Sequence, residues 1–213
     1  MRVELHEFNV KIMELPEEKI KISDWFKSEH QFNQLYPNQI QELSAQHWTP
    51  LSIAKKAADF LSAEKNTRVL DIGSGVGKFC LAAAYFQPSI NFFGVEQRMN
   101  LVEHAESAKQ ILGLENVTFL NQNFTSIDFN LYDHFYFFNS FYENINDKNK
   151  IDENIEYSDD LFHYYSRFLY RQLDKKPSGT RIATYHSSET EVPKGYHIVG
   201  EDIDTTLKFW IKV

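Results

Sequence analysis

The chain has 213 residues, 42% of them hydrophobic, which suits one domain of ordinary size with a small appendage. Its formal net charge of -8 disfavours a non-specific binder of nucleic-acid backbones, because such proteins need a basic surface that displaces counterions. The one cysteine, Cys80, cannot form an internal disulfide, and the first residues lack the apolar core of a signal peptide. We therefore expect a cytoplasmic protein with no membrane span and no metal site.

Residues 1–45 are predicted to form an N-terminal extension that is partly helical. Alternating apolar and polar side chains permit short strands near residues 3–5, 10–12 and 20–22. Apolar side chains over residues 23–35, with a proline two residues later, predict a helix. The extension could cap a nucleotide site or simply pack against the domain predicted for residues 46–213.

Helices and strands alternate through the first half of this domain. Thr49-Pro50 is typical of a helix start, and the alanines and leucines that follow recur at helical spacing. Apolar runs predict a strand that begins at 68 and strands at 91–96, 117–121 and 134–138, with helices at 77–86 and 101–112. This alternation indicates parallel β-α-β units.

The second half begins with a polar, acidic segment, residues 143–160, which could be a solvated loop or a mobile lid. Ser158 is predicted to cap a helix that ends before a proline at 177. Residues 181–185 then form a strand. Residues 196–199 and 206–213, separated by an acidic turn, predict an antiparallel hairpin at the edge of the sheet.

A glycine-rich loop, Asp71-Ile72-Gly73-Ser74-Gly75-Val76-Gly77-Lys78, follows the first strand of the domain. Glycines let the backbone turn sharply near a ligand, and the free amides at the next helix start can donate to an anion. The dinucleotide fingerprint is weakened, because its third glycine is replaced by Lys78. The P-loop pattern is excluded by Ile72 and Phe79. The loop is predicted to hold a nucleotide-like ligand.

Glu96 is the second informative residue, because it ends the strand predicted at 91–96. Ligands of open α/β sheets bind beyond the carboxyl ends of the strands, which places Glu96 beside the glycine-rich loop. A carboxylate there can accept hydrogen bonds from both hydroxyls of an unphosphorylated ribose. Dinucleotide enzymes use the same acid, so Glu96 predicts nucleoside binding without identifying the reaction.

Four segments between residues 66 and 142 resemble the motifs of class I methyltransferases that depend on S-adenosyl-L-methionine (SAM). These segments, DIGSGVGKFCLAAA, GVEQ, NFTS and FFNSFYE, are similar to the non-SET histone lysine methyltransferases of the disruptor of telomeric silencing type and their bacterial relatives. The resemblance implies SAM as cofactor and a Rossmann-like α/β fold whose seven-stranded, mostly parallel sheet ends in an antiparallel hairpin. The cofactor-binding residues that it implies are Asp71, Gly73, Ser74, Gly75, Gly77, Glu96, Gln97, Asn123, Phe124 and Asn139.

The resemblance also implies a role for each part of the site. The glycine-rich loop would hold the methionine end of SAM and Glu96 the ribose, while Asn123 and Phe124 would contact the adenine. Asn139 would face the transferring methyl group and is one of two candidate catalytic residues. Tyr142 is the other.

The acceptor is expected to lie near Tyr142, Phe141 and Trp48, which could line a channel and stabilise a cation through their ring faces. Ser140 and Phe141 stand where methyltransferases acting on base amino groups carry two prolines. Together with the acidic charge, this predicts a nucleophile, most simply nitrogen, on a protein or small molecule and disfavours nucleic acid. A NAD-dependent Rossmann oxidoreductase and a non-catalytic SAM-binding protein stay open as alternatives.

Overall fold

A computed structural model describes residues 21–146, 150–202 and 206–213. Seven strands form one sheet in the order β3-β2-β1-β4-β5-β7-β6. They are β1 Arg68–Ile72, β2 Asn91–Glu96, β3 Val117–Asn121, β4 His134–Phe138, β5 Arg181–Tyr185, β6 Tyr196–Glu201 and β7 Leu207–Lys212. Strands β1 to β5 pair in parallel, and β7 pairs antiparallel with both β5 and β6. The predicted α/β fold, including its C-terminal hairpin, is confirmed.

The order of the strands reverses between β1 and β4, and a crevice opens at the carboxyl ends of the strands at such a point. Strand β4 is aromatic from Phe135 to Phe138, as expected of a strand with both faces covered. Phe135 and Phe137 are buried in the core on one face, while Tyr136 is buried in the core on the other. Strand β4 is also fourth of the seven strands in the sheet, which confirms the prediction of a central strand.

Helices cover both faces of the sheet. Ser158 caps the last of them as predicted, since its Oγ accepts a hydrogen bond from the Leu161 amide at 3.1 Å. Within residues 21–146, 150–202 and 206–213, every helix is too short or too polar to traverse a lipid bilayer. Four short helices precede four longer ones in the part of the chain that the structure describes. They are α1 Ile22–Trp25, α2 Glu29–Asn33, α3 Asn38–Gln41, α4 Ser44–His47, α5 Leu51–Leu61, α6 Lys78–Phe86, α7 Met99–Leu112 and α8 Asp159–Asp174.

Residues 22–48, which we call the N-terminal layer, differ from the prediction. The single helix predicted over 23–35 is wrong, because Ser28 is extended and its Oγ caps α2 by accepting from the Gln31 amide at 3.2 Å. The strand predicted at 20–22 is also wrong over its described part, where Ile22 begins α1. The strands predicted at 3–5 and 10–12 lie outside the described residues.

The N-terminal layer packs on the glycine-rich loop and the helix after it. Tyr36 is buried and donates a hydrogen bond from its hydroxyl to the Val76 carbonyl at 3.0 Å. Its ring lies 4.8 Å from that of Trp48. Lys78 is buried and pairs with Glu29 of the layer. Packing is therefore one function of this segment, while the division of the chain at residue 45 stays a prediction.

Candidate functional site

A cavity lies at the carboxyl ends of the strands, where the strand order reverses between β1 and β4. Residues from the loops after four strands, from the N-terminal layer and from α8 line it. Among the residues singled out in the sequence, those lining the cavity are Trp48, Gly73, Gly75, Glu96, Gln97, Asn123, Phe124, Asn139, Phe141 and Tyr142. The fold thus brings most of the predicted site together.

Three predicted ligand-binding residues, Asp71, Ser74 and Gly77, do not line the cavity. Asp71 is buried and accepts a hydrogen bond from the Cys80 Sγ at 3.5 Å. The Ser74 Oγ is also buried and has no hydrogen-bond partner among the described residues. The direct SAM contacts expected of Asp71, Ser74 and Gly77 stay predictions.

Hydrogen bonds from the backbone of the glycine-rich loop to strand β2 hold the loop in shape. The amides of Gly73 and Ser74 both donate to the Val95 carbonyl at 3.0 Å. At Gly77, φ is 79°, and a Cβ there would lie 2.4 Å from the Phe119 ring, so only glycine fits. At Gly75 a Cβ would meet nothing within 4 Å, which leaves this part of the loop open to a ligand.

The burial of Asp71 predicts how stability depends on pH. Burial raises the pKa of Asp71 from 3.8 to about 8. Between these values the folded protein retains a proton that the unfolded chain releases, so this carboxyl lowers the free energy of unfolding as pH rises, by about 1.4 kcal/mol per pH unit. Asp71→Asn should flatten that dependence in urea denaturation curves between pH 5 and pH 8. An unchanged slope in the variant would contradict the assignment.

Glu96 links the loop to the turn after β2. Its side chain is 5% exposed, and its carboxylate accepts from the Arg98 amide at 2.9 Å and from the Gly75 amide at 3.2 Å. Burial raises the pKa of Glu96, while the hydrogen bond from the Arg98 amide opposes this rise. Two oxygens with further lone pairs face a cavity beside a glycine-rich loop. This chemistry fits the two hydroxyls of a ribose.

Arg98 is a site residue that the sequence analysis missed. Its guanidinium contacts three carboxylates and a tyrosine hydroxyl: Glu143 at 2.7 Å, Asp152 at 3.3 Å, Glu96 at 3.6 Å and Tyr157 at 2.7 Å. The Arg98 side chain is 3% exposed. Burial lowers the pKa of Arg98, but the carboxylates of Glu143 and Glu96 outweigh it and raise the pKa. A permanent cation therefore holds this group of acids together.

The network fixes a segment over the cavity that we call the strap, residues 150–157. Ile151, Ile155 and Tyr157 of the strap line the cavity. The Tyr157 hydroxyl donates to the Asp152 carbonyl at 2.6 Å, which closes the strap on itself. The described part of the acidic segment is thus a cover of the site. That this cover moves as a lid stays a prediction.

Aromatic rings form another wall of the cavity. Phe124 and Phe141 are stacked with ring centroids 4.9 Å apart, and Tyr165 of α8 lies edge-on to Phe124 at 5.4 Å. Asn123 donates from Nδ2 to the Tyr165 hydroxyl at 2.8 Å, and its Oδ1 accepts from the Thr125 amide at 3.0 Å. The wall could hold a planar ring. The adenine contact of Asn123 stays a prediction, because its oxygen already caps a turn.

The end of β4 is tied to both neighbouring strands. The Ser140 Oγ donates to the Ile72 carbonyl at 2.5 Å, and the Asn139 amide donates to the Ser187 Oγ at 3.2 Å. Asn139 itself has a φ of 46°, a left-handed value that is rare outside glycine. Tyr142 follows at the mouth of the cavity and is 39% exposed. Both candidate catalytic residues therefore stand at one end of the site.

Comparison with known proteins identifies a family. Residues 63–203 match the profile of a family described as a methyltransferase domain. The tRNA (guanine-N(7)-)-methyltransferase of Synechococcus sp. (strain JA-3-3Ab) is 56% identical over 54 residues, which are 25% of this chain and 23% of that protein. The 23S rRNA (uracil(1939)-C(5))-methyltransferase RlmD of Shewanella sediminis (strain HAW-EB3) is 36% identical over 75 residues, 35% of this chain and 16% of that protein. The chain spans under a quarter of each of these relatives.

Solved structures show the same fold. TrmN from Thermus thermophilus has a TM-score of 0.56 and 18% identity over 82% of this chain and 52% of that one. An RNA methyltransferase from Salinibacter ruber, in complex with S-adenosyl-L-homocysteine (SAH), has a TM-score of 0.55 and 16% identity over 78% of this chain and 93% of that one. The predicted methyltransferase fold is confirmed.

These comparisons decide three further predictions. SAM as cofactor is confirmed, and it replaces the NAD-dependent alternative. The class I methyltransferase resemblance is confirmed, but the finer resemblance to the histone-modifying type is not shown. The prediction that nucleic acid is disfavoured is wrong, since the curated relatives are named as tRNA and rRNA methyltransferases. Net charge misled here, because it sums the whole surface and says nothing about the few residues that meet an acceptor.

Proposed function

The chain belongs to the methyltransferase domain family, and we propose that it transfers the methyl group of SAM to a base nitrogen of an RNA. The observation that carries this proposal is the identity, 46–56% over 54 residues, with three proteins named as tRNA (guanine-N(7)-)-methyltransferases. Those proteins are matched over 23–26% of their length. The family is therefore shown, and the RNA acceptor is our proposal.

The cavity supports a place for each part of the cofactor. Glu96 would hold the ribose, because its carboxylate is fixed at the end of β2 and faces the cavity. Phe124 would contact the adenine, and the open backbone around Gly75 would approach the methionine end. When bound, SAM supplies a methyl group activated by a sulfonium. The strap over the cavity would keep water from that centre.

Nitrogen fits the acceptor atom better than carbon. The ring nitrogen of a purine carries a lone pair and can attack a methyl group without a general base, so alignment is the main demand on the protein. Carbon 5 of uracil becomes nucleophilic only after another nucleophile adds to the ring. The one cysteine of this sequence, Cys80, is buried away from the cavity, and burial raises the pKa of its thiol.

Transfer of tritiated methyl groups tests this function. The purified protein and labelled SAM would be incubated with RNA, protein and small-molecule fractions of cells, and each product treated with ribonuclease or protease. We expect label that ribonuclease releases and protease does not. Label confined to protein or small molecules would contradict the proposal.

The role of Asn139 is tested in the same assay. Asn139→Ala should lower kcat at least tenfold, on the order of the loss expected when an acceptor is misaligned, and change the SAH dissociation constant about twofold or less. Its left-handed φ suggests Asn139→Gly as a second variant, which removes the side chain without backbone strain. Equal turnover of both variants and the wild type would show that Asn139 has no part in transfer.

Cofactor selectivity gives an independent prediction. SAM and SAH should raise the melting temperature, because a ligand that binds only the folded state stabilises it by mass action. NAD should leave the melting temperature unchanged, since the third glycine of its fingerprint is replaced by Lys78, which is buried against Glu29. Differential scanning fluorimetry with each ligand at the same concentration measures this. A rise with NAD alone would overturn the cofactor assignment.

A further inference from the structure

A second, open groove adjoins the cofactor cavity. Both spaces are lined by the same five residues, so they meet along one wall, made by Gln46, Trp48, Phe138, Asn139 and Tyr142. Two of the five come from the N-terminal layer and three from the end of β4 and the loop after it. A ligand in the groove would therefore lie against the residues expected to face the methyl group.

The chemistry of the groove suits a neutral, planar ligand. None of the ten described residues that line it carries a formal charge when histidine is neutral. Its lining includes the aromatic rings of Trp48, Tyr142, Tyr185 and His186 and the amide of Gln46. A lysine side chain or a phosphate would find no opposite charge on these walls. A nucleobase would find ring faces for stacking and an amide for hydrogen bonds.

The wall shared with the cofactor cavity continues into an aromatic cluster at the ends of β4 and β5. The ring centroids of Phe138 and Tyr185 are 4.8 Å apart, and those of Tyr185 and His186 are 4.3 Å apart. His186 is exposed, so its ring is available to a ligand. The rings are tilted against one another, and the exposed His186 ring offers a face on which a base can stack.

Backbone strain marks the same wall. Asn139 has a φ of 46° and His186 a φ of 52°, and each directly follows the last residue of one of two adjacent parallel strands. Such conformations are costly for residues other than glycine and cluster at ligand sites. The bond from the Asn139 amide to the Ser187 Oγ joins the two turns. Asn66, with a φ of 62°, lies before β1, at the amino ends of the parallel strands and so on the opposite side of the sheet from the cavity.

We propose that this groove is the subsite for one unstacked nucleobase of the RNA, held against the exposed His186 ring with Gln46 as its hydrogen-bond partner. The inference rests on the proposed function and adds the residues that receive the base. Gln46 and Trp48 precede the span that matches the family profile, residues 63–203. The subsite therefore combines residues inside the matched span with residues that precede it.

Three variants test the subsite. His186→Gly removes the ring and suits the positive φ, so it should fold, and Gln46→Ala changes an exposed side chain. With tritiated SAM and unmodified tRNA and rRNA transcripts, each should lower kcat/KM for RNA about tenfold to a hundredfold, as expected for one lost base contact, and change SAH affinity less than about twofold. Asn66→Gly is the matched control. It also replaces a residue with a left-handed φ by glycine, but at the amino ends of the parallel strands, and it should leave transfer unchanged.

The possible outcomes distinguish an error in the subsite proposal from an error in the proposed function. Transfer to RNA that falls in the two groove variants and persists in Asn66→Gly supports the subsite. Transfer to RNA that is as fast in both groove variants as in the wild type overturns the subsite and leaves the proposed function standing. A wild-type protein that methylates no RNA overturns the proposed function and the subsite together.

Discussion

Arg98→Ala is expected to lower the free energy of unfolding by about 3 to 5 kcal/mol, because it leaves buried carboxylates without their cation. The Arg98 side chain is 3% exposed, and Glu96, Glu143 and Asp152 all lie within 3.6 Å of its nitrogens. Urea denaturation at pH 7 measures the loss. Arg98→Lys should recover part of it, since the charge returns but the planar set of donors does not.

The matched control for Arg98 is an exposed ion pair. Lys55 and Asp59 are one helical turn apart on α5, with their side chains 53% and 46% exposed. Lys55→Ala should cost less than about 1 kcal/mol, as exposed pairs do. A loss of under about 1 kcal/mol in Arg98→Ala as well would mean that the network does not hold the strap.

Glu96→Gln should weaken SAH binding about thirtyfold to a thousandfold, because two ribose hydroxyls lose a charged acceptor in a buried site. Burial raises the pKa of Glu96 above its ordinary value of 4.5, so wild-type affinity should also fall as pH is lowered towards that raised pKa. The variant should show little of this pH dependence. Isothermal titration calorimetry with SAH at several pH values measures both effects.

Glu103→Gln controls for the loss of one acidic charge near the site. Glu103 lies on α7, the helix after the β2 turn, and its side chain is exposed. Its substitution should leave SAH affinity within about twofold of the wild type. If Glu96→Gln also bound SAH as the wild type does, the ribose would have to be held by another residue.

Local patterns were enough to predict the parallel strands and the loop, because β1 to β5 are short, mostly apolar runs that are followed by glycines or polar residues. The start of β1 and the bounds of β2 to β5 agree with the predicted ones for this reason. Glu96 was found from its place at a strand end. A single hydroxyl group, at Ser28, was enough to break the helix predicted over 23–35, because capping competes with continuation of the helix.

Features that depend on distant contacts escaped the sequence analysis. Arg98 meets Asp152 across 54 positions of the chain, and no local pattern signals such a pair. The burial of Asp71 follows from the packing of α6 beneath the loop. The left-handed backbone at His186 was equally hidden, because histidine, although enriched in that conformation, adopts it in only a small minority of positions. The acceptor class was misjudged because net charge sums the whole surface and does not describe the few residues that meet an acceptor.

Incubation of total tRNA and rRNA with the protein and SAM that carries a trideuteromethyl group, followed by nucleoside mass spectrometry, tests the central claim most directly. We expect one base-methylated nucleoside to gain the deuterated group at nitrogen, with the wild-type protein and not with Glu96→Gln. Deuterated methyl groups found in protein or metabolites and absent from every nucleoside would contradict the account.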